Sequence, residues 1–519
     1  MSRVKYRIDM TRDLNIFHSE LVKATAEDRV LRDEATLRKY SQDQSLTPHC
    51  LPQFVVMPVI REEVQEIVRI ANRHLIPIVP YSSGKDMFGA AVPARGGIVL
   101  SLEKMKKVLK VNTQEWNAII EAGVTYRELQ DELDRAGFRI ASPLFAMPSA
   151  SVVSTIIQRN HPSTATDFSY GNELIFGYEL VLPDGTYFNV GKQAVGGPGR
   201  YVGQPTGPGL NFWRLFQGAC GTLGIVTSMS IKIMEKPKMR AAHFFSCKNS
   251  AEAIAVIRAT QRKELGLECF ALNAFNLASL LFTDTPEEKE KLKAGTYVGI
   301  HGAEKWNASQ RKEFKDLLKK LPPWTVIIIS AGFDRRAEEK IAYEEEDLRD
   351  ASVREAGISP EKTVGGLNGL AETILADTLK PQQMQKRYGF KGTIHPLSFY
   401  SPNTQVAKFD AIIRESSRNS HYPEKEIGGF LLPIERGRAI FCQFDLHCDP
   451  DDSREKKQFQ DFYQTVSEKL IGEGAFFDPP YGIWAEMMYR RAGTYTDYLK
   501  KLKKELDPQG IMNPGKLCF

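Results

Sequence analysis

Residues 76–93 read IPIVPYSSGKDMFGAAVP, an apolar strand that runs into a loop dense in Ser, Gly and other small residues. Small side chains let consecutive main-chain N–H groups turn toward one point, and such a nest holds a phosphate or pyrophosphate without a helix or a metal. Ser82, Ser83, Gly84, Lys85, Asp86, Met87 and Gly89 are the candidate ligands. An ordinary strand-to-strand loop has the same texture, so this stretch alone does not decide between the two. Two further clusters of small residues tip the balance. Residues 147–155 read MPSASVVST and residues 216–227 read FQGACGTLGIVT. One such cluster would pass for a bulge or a tight bend; three within one region suggest several loops converging on an extended ligand.

Metal chemistry has no such signature. The seven cysteines contain no C-x-x-C pair and the nine histidines no H-E-x-x-H spacing, which disfavours an iron–sulfur cluster or a zinc site held by this chain. Scattered thiols suit a reducing compartment. With 69 basic against 64 acidic residues the net charge is +5, too near balance for a dedicated nucleic-acid surface. No apolar run approaches the roughly 20 residues of a membrane span, and residues 1–17 lack the apolar core of a signal peptide, so a cytoplasmic protein is expected.

Elements must carry these loops. Residues 61–75 place Val64, Ile67, Val68, Ala71 and Leu75 on one helical face, followed by a strand at 76–79, the loop, and a second strand at 97–102. A strand at 118–122 precedes Thr125 and Glu128, a capping box that opens a helix ending before Gly137. Strands follow at 174–182 and 186–190 about the turn Pro183-Asp184-Gly185. Residues 195–210, rich in Gly and Pro, read as an irregular loop, and 228–234 as a half-buried strand. From Lys236 the texture changes to charged helices (251–262, 285–293, 337–355) alternating with strands (325–330, 430–433, 439–445). At 519 residues the chain exceeds what one core usually supports. An α+β protein of two domains is predicted, residues 1–236 and a second domain from 237, and the resemblance described below completes the first with 490–519 and ends the second at 489. The last helix, 494–506, should bury Tyr495, Tyr498, Leu499, Leu502 and Leu506.

Together, Ser83 to Pro93, Glu121 to Tyr126, Tyr170-Gly171, Gly221 to Thr227 and the terminal Asp507-Pro508 with Asn513-Pro514-Gly515-Lys516 resemble FAD-linked oxidases of the vanillyl-alcohol oxidase and p-cresol methylhydroxylase type. The resemblance spans nearly the whole chain. It implies the two-domain PCMH-type FAD-binding fold with an α/β cap domain over the isoalloxazine ring. It also implies that the first loop holds the pyrophosphate, that Pro148, Ser149, Val153 and Ser154 with Gly218, Gly221, Thr222, Gly224, Ile225 and Val226 line the rest of FAD together with Tyr170, Asn513 and Lys516, and that hydride leaves a benzylic-type carbon of a 4-alkylphenol or aryl alcohol for flavin N5. A separate cytochrome or iron–sulfur subunit would receive electrons in a dehydrogenase, and a homo-oligomer is expected.

The substrate residues depart from that pattern. Phe88 stands where the family has a phenol-binding tyrosine, and Ser149 where it has an acid. The family's Tyr-Arg pair falls on Glu486-Met487, or on Tyr489-Arg490 after a shift of three. Its flavin-linking histidine falls on Leu397; His395, two residues earlier on the same strand face, is the candidate for attachment, with Tyr400 and His447 behind it and noncovalent FAD expected. Arg436 and Arg438 occupy positions where the family often places acidic and imidazole groups, and guanidinium groups there would favour an anionic substrate. Phe88, Arg436, Arg438, Glu486, Tyr489 and Arg490 are therefore the catalytic candidates. A 2-hydroxy-acid dehydrogenase of glycolate or D-lactate type, whose I-M-N-P-G-K terminus is similar, is the alternative, although the H-x-G-D-G-N-x-H motif usual there is absent. A flavin-binding electron-relay subunit is a third reading.

Overall fold

A computed structural model describes residues 13–48, 50–85, 87–164, 166, 174–196, 208–282, 305–379 and 389–519. Asp86, Tyr170 and Gly171, the helix expected at 285–293 and most of the Gly/Pro-rich loop fall outside them.

The first sheet begins with a β-α-β unit. Strand Phe54–Val56 leads through helix Arg61–His74 to strand Ile78–Tyr81, and strand Ile98–Ser101 lies between the two, parallel to both. The helix buries Val64, Ile67, Val68, Ile70 and Ala71 against these strands. Leu75 does not join them: it adopts the left-handed cap conformation (φ 55°) and is 42% exposed, because reversal of the chain there overrides the apolar stripe. The Ser82 loop thus springs from the C-terminal end of a parallel strand, where open α/β sheets bind their ligands.

A five-stranded antiparallel sheet follows, in the spatial order Val108–Asn112, Asn117–Glu121, Ile225–Lys232, Ile175–Val181, Tyr187–Gly191. Strand Ile225–Lys232 is its middle strand, so it is buried on both faces rather than half-buried. The capping box at Thr125 and Glu128 opens helix Tyr126–Arg135. Ile511 and Met512 enter this same core, and Ile78 and Met512 form a parallel bridge.

The second unit is a six-stranded antiparallel sheet in the order Met239–Cys247, Trp324–Gly332, Glu268–Asn273, Gly428–Ile434, Ala439–Cys448, Thr393–Ser401. Side chains alternate across it. Leu397, Phe399, Cys442, Phe444 and Leu446 face a core shared with helices Ser250–Gln261, Val406–Asn419 and Ser453–Gly472. Phe430, Leu432, Phe270 and Leu272 face a second core with helices Ala274–Leu281 and Ala308–Leu318. Toward the free edge of that second face Pro396, Ser398, Tyr400, Phe441 and Gln443 line a cleft shared with the Ser82 loop. The molecule is α+β with two units meeting at a cleft. Among the described residues no helix is long and apolar enough to cross a membrane.

Candidate active site

The cleft measures about 1640 Å³ counting its open mouth. Ser82, Ser83, Gly84, Lys85, Met87 and Phe88 form one wall, Val153 and Ser154 another, and Gly221, Gly224, Ile225 and Val226 a third, so the three clusters of small residues converge. Gly84 has φ +61°, and a Cβ there would sit 1.9 Å from the Tyr81 hydroxyl. The main-chain N–H groups of Ser83, Gly84 and Lys85 have no hydrogen-bond acceptor among the described residues. Three adjacent orphan donors in a loop without bulk are the donor set a pyrophosphate needs. Burial pulls the Lys85 ammonium below its ordinary pKa, an effect a bound diphosphate would oppose. The residues present fit FAD.

Other expected cofactor contacts hold the loops instead. Gly89 donates its amide to Asp43 Oδ2 at 2.8 Å, and Ser45 donates to Oδ1 of the same carboxylate at 2.8 Å. Thr222 is buried, its hydroxyl on the Ala219 carbonyl at 2.6 Å. Gly218 donates to the Ile157 carbonyl, Pro148 is buried with its carbonyl accepting from Arg127, and Ser149 is exposed. Asn513 is buried and donates through Nδ2 to the carbonyls of Ala90 (2.9 Å) and Cys220 (2.6 Å), tying the first loop to the third. Lys516 lines a second chamber next to the cleft, with His395 and Tyr463. Met87, Phe88, Tyr481 and Trp484 separate the two spaces and line both.

His395 lies on the opposite strand face from Pro396, Ser398 and Tyr400, its ring 4.8 Å from that of Phe459 and Nε2 3.1 Å from Thr393 Oγ1. Burial pulls its pKa down to about 3, so the ring is neutral. Strand parity directs it away from the cleft.

The expected catalytic set is not brought together. Arg438 is 84% exposed beside Glu435, and Glu486 pairs with Arg490 on the surface. Arg436 takes a left-handed turn conformation and reaches the Gly266 carbonyl at 3.5 Å, outside the cleft. Tyr489 is half-buried, outside the lining, near Cys518 and Cys220. These residues sit in a turn and on a surface helix, where charged side chains are solvated; only Phe88 lines the cleft, its ring 5.4 Å from Trp484.

Three polar pairs stand there instead. Arg159 Nη1 meets Asp478 Oδ2 at 2.8 Å, both side chains about four-fifths buried. Burial raises the Asp478 carboxyl above its ordinary pKa, against the lowering effect of Arg159. His161 Nε2 lies 2.5 Å from the Tyr400 hydroxyl, and burial with the Arg159 charge pulls the imidazole down to about 3. Gln443 donates to Asp445 at 2.8 Å, which also accepts from Asn276 at 2.9 Å. Sequence reasoning missed Arg159, His161, Gln443 and Asp478, and considered Tyr400 only for flavin attachment. The available signal was that Arg159-Asn160-His161 lies just beyond the second small-residue cluster, after Ile156, Ile157 and Gln158, where helix Val152–Ile157 ends at the cleft.

Residues 52–191 match the model of a family described as an FAD binding domain. Among relatives, a D-lactate dehydrogenase of Anaerostipes hadrus is 21% identical over 96% of this chain and 97% of its own. The glycolate oxidase subunit GlcD of Bacillus subtilis is 25% identical over 92% and 91%. Among solved structures, 4-ethylphenol oxidase from Gulosibacter chungangensis superposes with a TM-score of 0.80 at 20% identity, covering 98% of this chain and 97% of that one. Substrate-bound p-cresol methylhydroxylase gives 0.81 at 18%, covering 98% of both. At such identities these structures speak to the fold, which is PCMH-type.

Proposed function

Starting from an FAD-dependent oxidoreductase of PCMH-type fold, we propose that it oxidises a benzylic-type carbon of an aromatic substrate bearing an anionic group. The observation that carries this reading is the cleft's cap side. Phe88, Tyr400, Phe441, Tyr481 and Trp484 line it, and Arg159 and Asp478 stand beside them. Aromatic walls stack an aromatic substrate, and a guanidinium offers five N–H donors of which Asp478 engages one group, leaving others for a carboxylate. Arg159 thereby takes the role that the sequence assigned to Arg436 and Arg438.

The division into 1–236 with 490–519 and a cap at 237–489 belongs to the same reading. So does a cofactor held by Ser82, Ser83, Gly84, Lys85, Val153, Ser154, Gly221, Gly224, Ile225 and Val226, without a covalent link through His395. Bound there, FAD supplies a hydride acceptor. The chain's own residues bind and orient the substrate, and Asp478 Oδ accepts the proton that leaves the substrate hydroxyl as the C–H hydride departs. Reoxidation by a separate cytochrome or iron–sulfur subunit, and a homo-oligomer, remain part of the proposal.

The test is anaerobic mixing of the yellow holoprotein with 4-alkylphenols, benzylic alcohols with and without a ring carboxylate, D-lactate and glycolate. Fastest bleaching by a carboxylate-bearing benzylic alcohol is expected. Faster bleaching by D-lactate or glycolate would replace this reading with the 2-hydroxy-acid one, which the names of the two full-length relatives favour.

A further inference from the structure

We propose that Tyr400 is the residue that binds the hydroxyl oxygen of the substrate, and that His161 is the positioning residue that orients it. The inference rests on the site proposed above and assigns it a specificity group from the cap sheet.

Tyr400 lies on strand Thr393–Ser401 with Pro396 and Ser398 on the cleft face, while Leu397 and Phe399 point into the helical core. Its backbone is fixed on both sides: its N–H donates to the Phe476 carbonyl at 2.8 Å, and the Phe476 N–H returns to its carbonyl at 3.1 Å. Its ring packs 5.7 Å from that of Phe441 and edge-on to His161 at 5.5 Å, and Phe441 contacts His161 at 5.0 Å. Backbone and ring are therefore set before any ligand arrives, the arrangement that gives a polar group its selectivity.

His161 comes from the other side of the cleft, two residues after Arg159, so the 2.5 Å hydrogen bond to Tyr400 joins the two units across the site. A phenolic hydroxyl has one donor and two acceptor positions, of which the bond to imidazole uses one. The ring is buried and neutral, which fixes Tyr400 as its partner through the working pH range. Asp478 lies two residues beyond Phe476, the bridge partner of Tyr400, so the proton acceptor and the oxygen-binding hydroxyl come from one locally paired segment. Gln443, the nearby amide, has its donor on Asp445.

The test uses holoprotein variants Tyr400→Phe, His161→Gln and His161→Leu. Phenol, which has no benzylic hydrogen, serves as a non-reacting probe read by flavin difference spectra, and the best substrate of the bleaching panel gives kinetics. Tyr400→Phe is expected to keep its FAD and its thermal midpoint while weakening phenol binding and lowering kcat/KM at least tenfold. His161→Leu should reproduce most of that loss, and His161→Gln, whose amide can donate or accept near Nε2, should recover part of it. Unchanged phenol affinity and kcat/KM in Tyr400→Phe would overturn the proposal; equal defects in the Gln and Leu variants would overturn the role of His161. Should only 2-hydroxy acids bleach the wild type, the aromatic reading fails. The same variants assayed with D-lactate then decide the Tyr400 assignment independently.

Discussion

Asp478 is the carboxylate in the described cleft lining, and its environment sets how it works. Its pKa is raised chiefly by burial, and a proton acceptor must be ionised to act, so its activity is gained as pH rises through the shifted value and lost below it. The pH profile of kcat/KM should show an acid limb above the ordinary aspartate range, and Asp478→Asn should lose about 100-fold or more of activity while retaining FAD. Arg159→Lys tests the neighbouring group. It keeps the charge but removes the planar fork, and should raise KM for a carboxylate-bearing substrate by roughly tenfold with little change for its neutral analogue. At this scale the convergence of the three small-residue loops was legible, because a close backbone approach demands small residues in sequence and composition records that demand. The proposed substrate groups were not: Arg159, His161, Tyr400 and Asp478 come from three distant segments, and nothing local in the sequence marks their meeting.

Element by element, the C-terminal segment shows what a motif does physically. Asp507 accepts the amides of Ile511 (3.1 Å) and Met512 (2.9 Å), and the segment joins the first sheet where Ile78 donates to the Ile511 carbonyl and Asn513 to that of Ile78. Lys503, 8% exposed, donates to the Thr222 carbonyl (2.6 Å), the Met512 carbonyl (2.9 Å) and Asp507 (2.5 Å). The sequence predicted an apolar face for this helix, but Tyr495 and Tyr498 are 64% and 67% exposed because the surface it packs against presents carbonyl oxygens that need donors. Periodicity locates a helix without saying which chemistry lies beneath it. The Asn513 and Lys503 contacts bind loop to loop, so this terminus shapes the cleft from behind. Lys503→Met would leave a buried carboxylate and two carbonyls without their cation, a loss of about 3–5 kcal/mol. The expected result is a lowered thermal midpoint and release of FAD on gel filtration, with Lys504→Met, on the exposed side, as an unaffected control.

For the molecule as a whole, the two units are joined by polar contacts as well as by packing, and burial controls their charge. His161, His243 and His395 are all buried, with pKa values pulled down to about 3, 4 and 3, chiefly by desolvation. In the unfolded chain a histidine titrates near 6.5. Between these values the unfolded state binds more protons, so the stability these rings contribute is fully present above pH 6.5 and is lost as pH falls toward 4. Each contributes a slope of about 1.4 kcal/mol per pH unit well inside that window. Asp43 and Asp478, whose pKa values are raised by burial, act with the opposite sign just above the ordinary aspartate range and offset part of the loss there. Urea unfolding at saturating FAD, so that cofactor release does not shift the baseline, should therefore show a midpoint that falls steadily from pH 6.5 to 4.5. His395→Phe isolates one term: the ring packs at a tilt against Phe459 on the helical side of the sheet, so an aromatic replacement keeps the packing, removes the titration and flattens the slope by about 1.4 kcal/mol per pH unit. An unchanged slope in that variant would mean that His395 is already protonated in the folded protein. Its burial between Phe459 and Tyr463 could then not be the cause of the acid sensitivity.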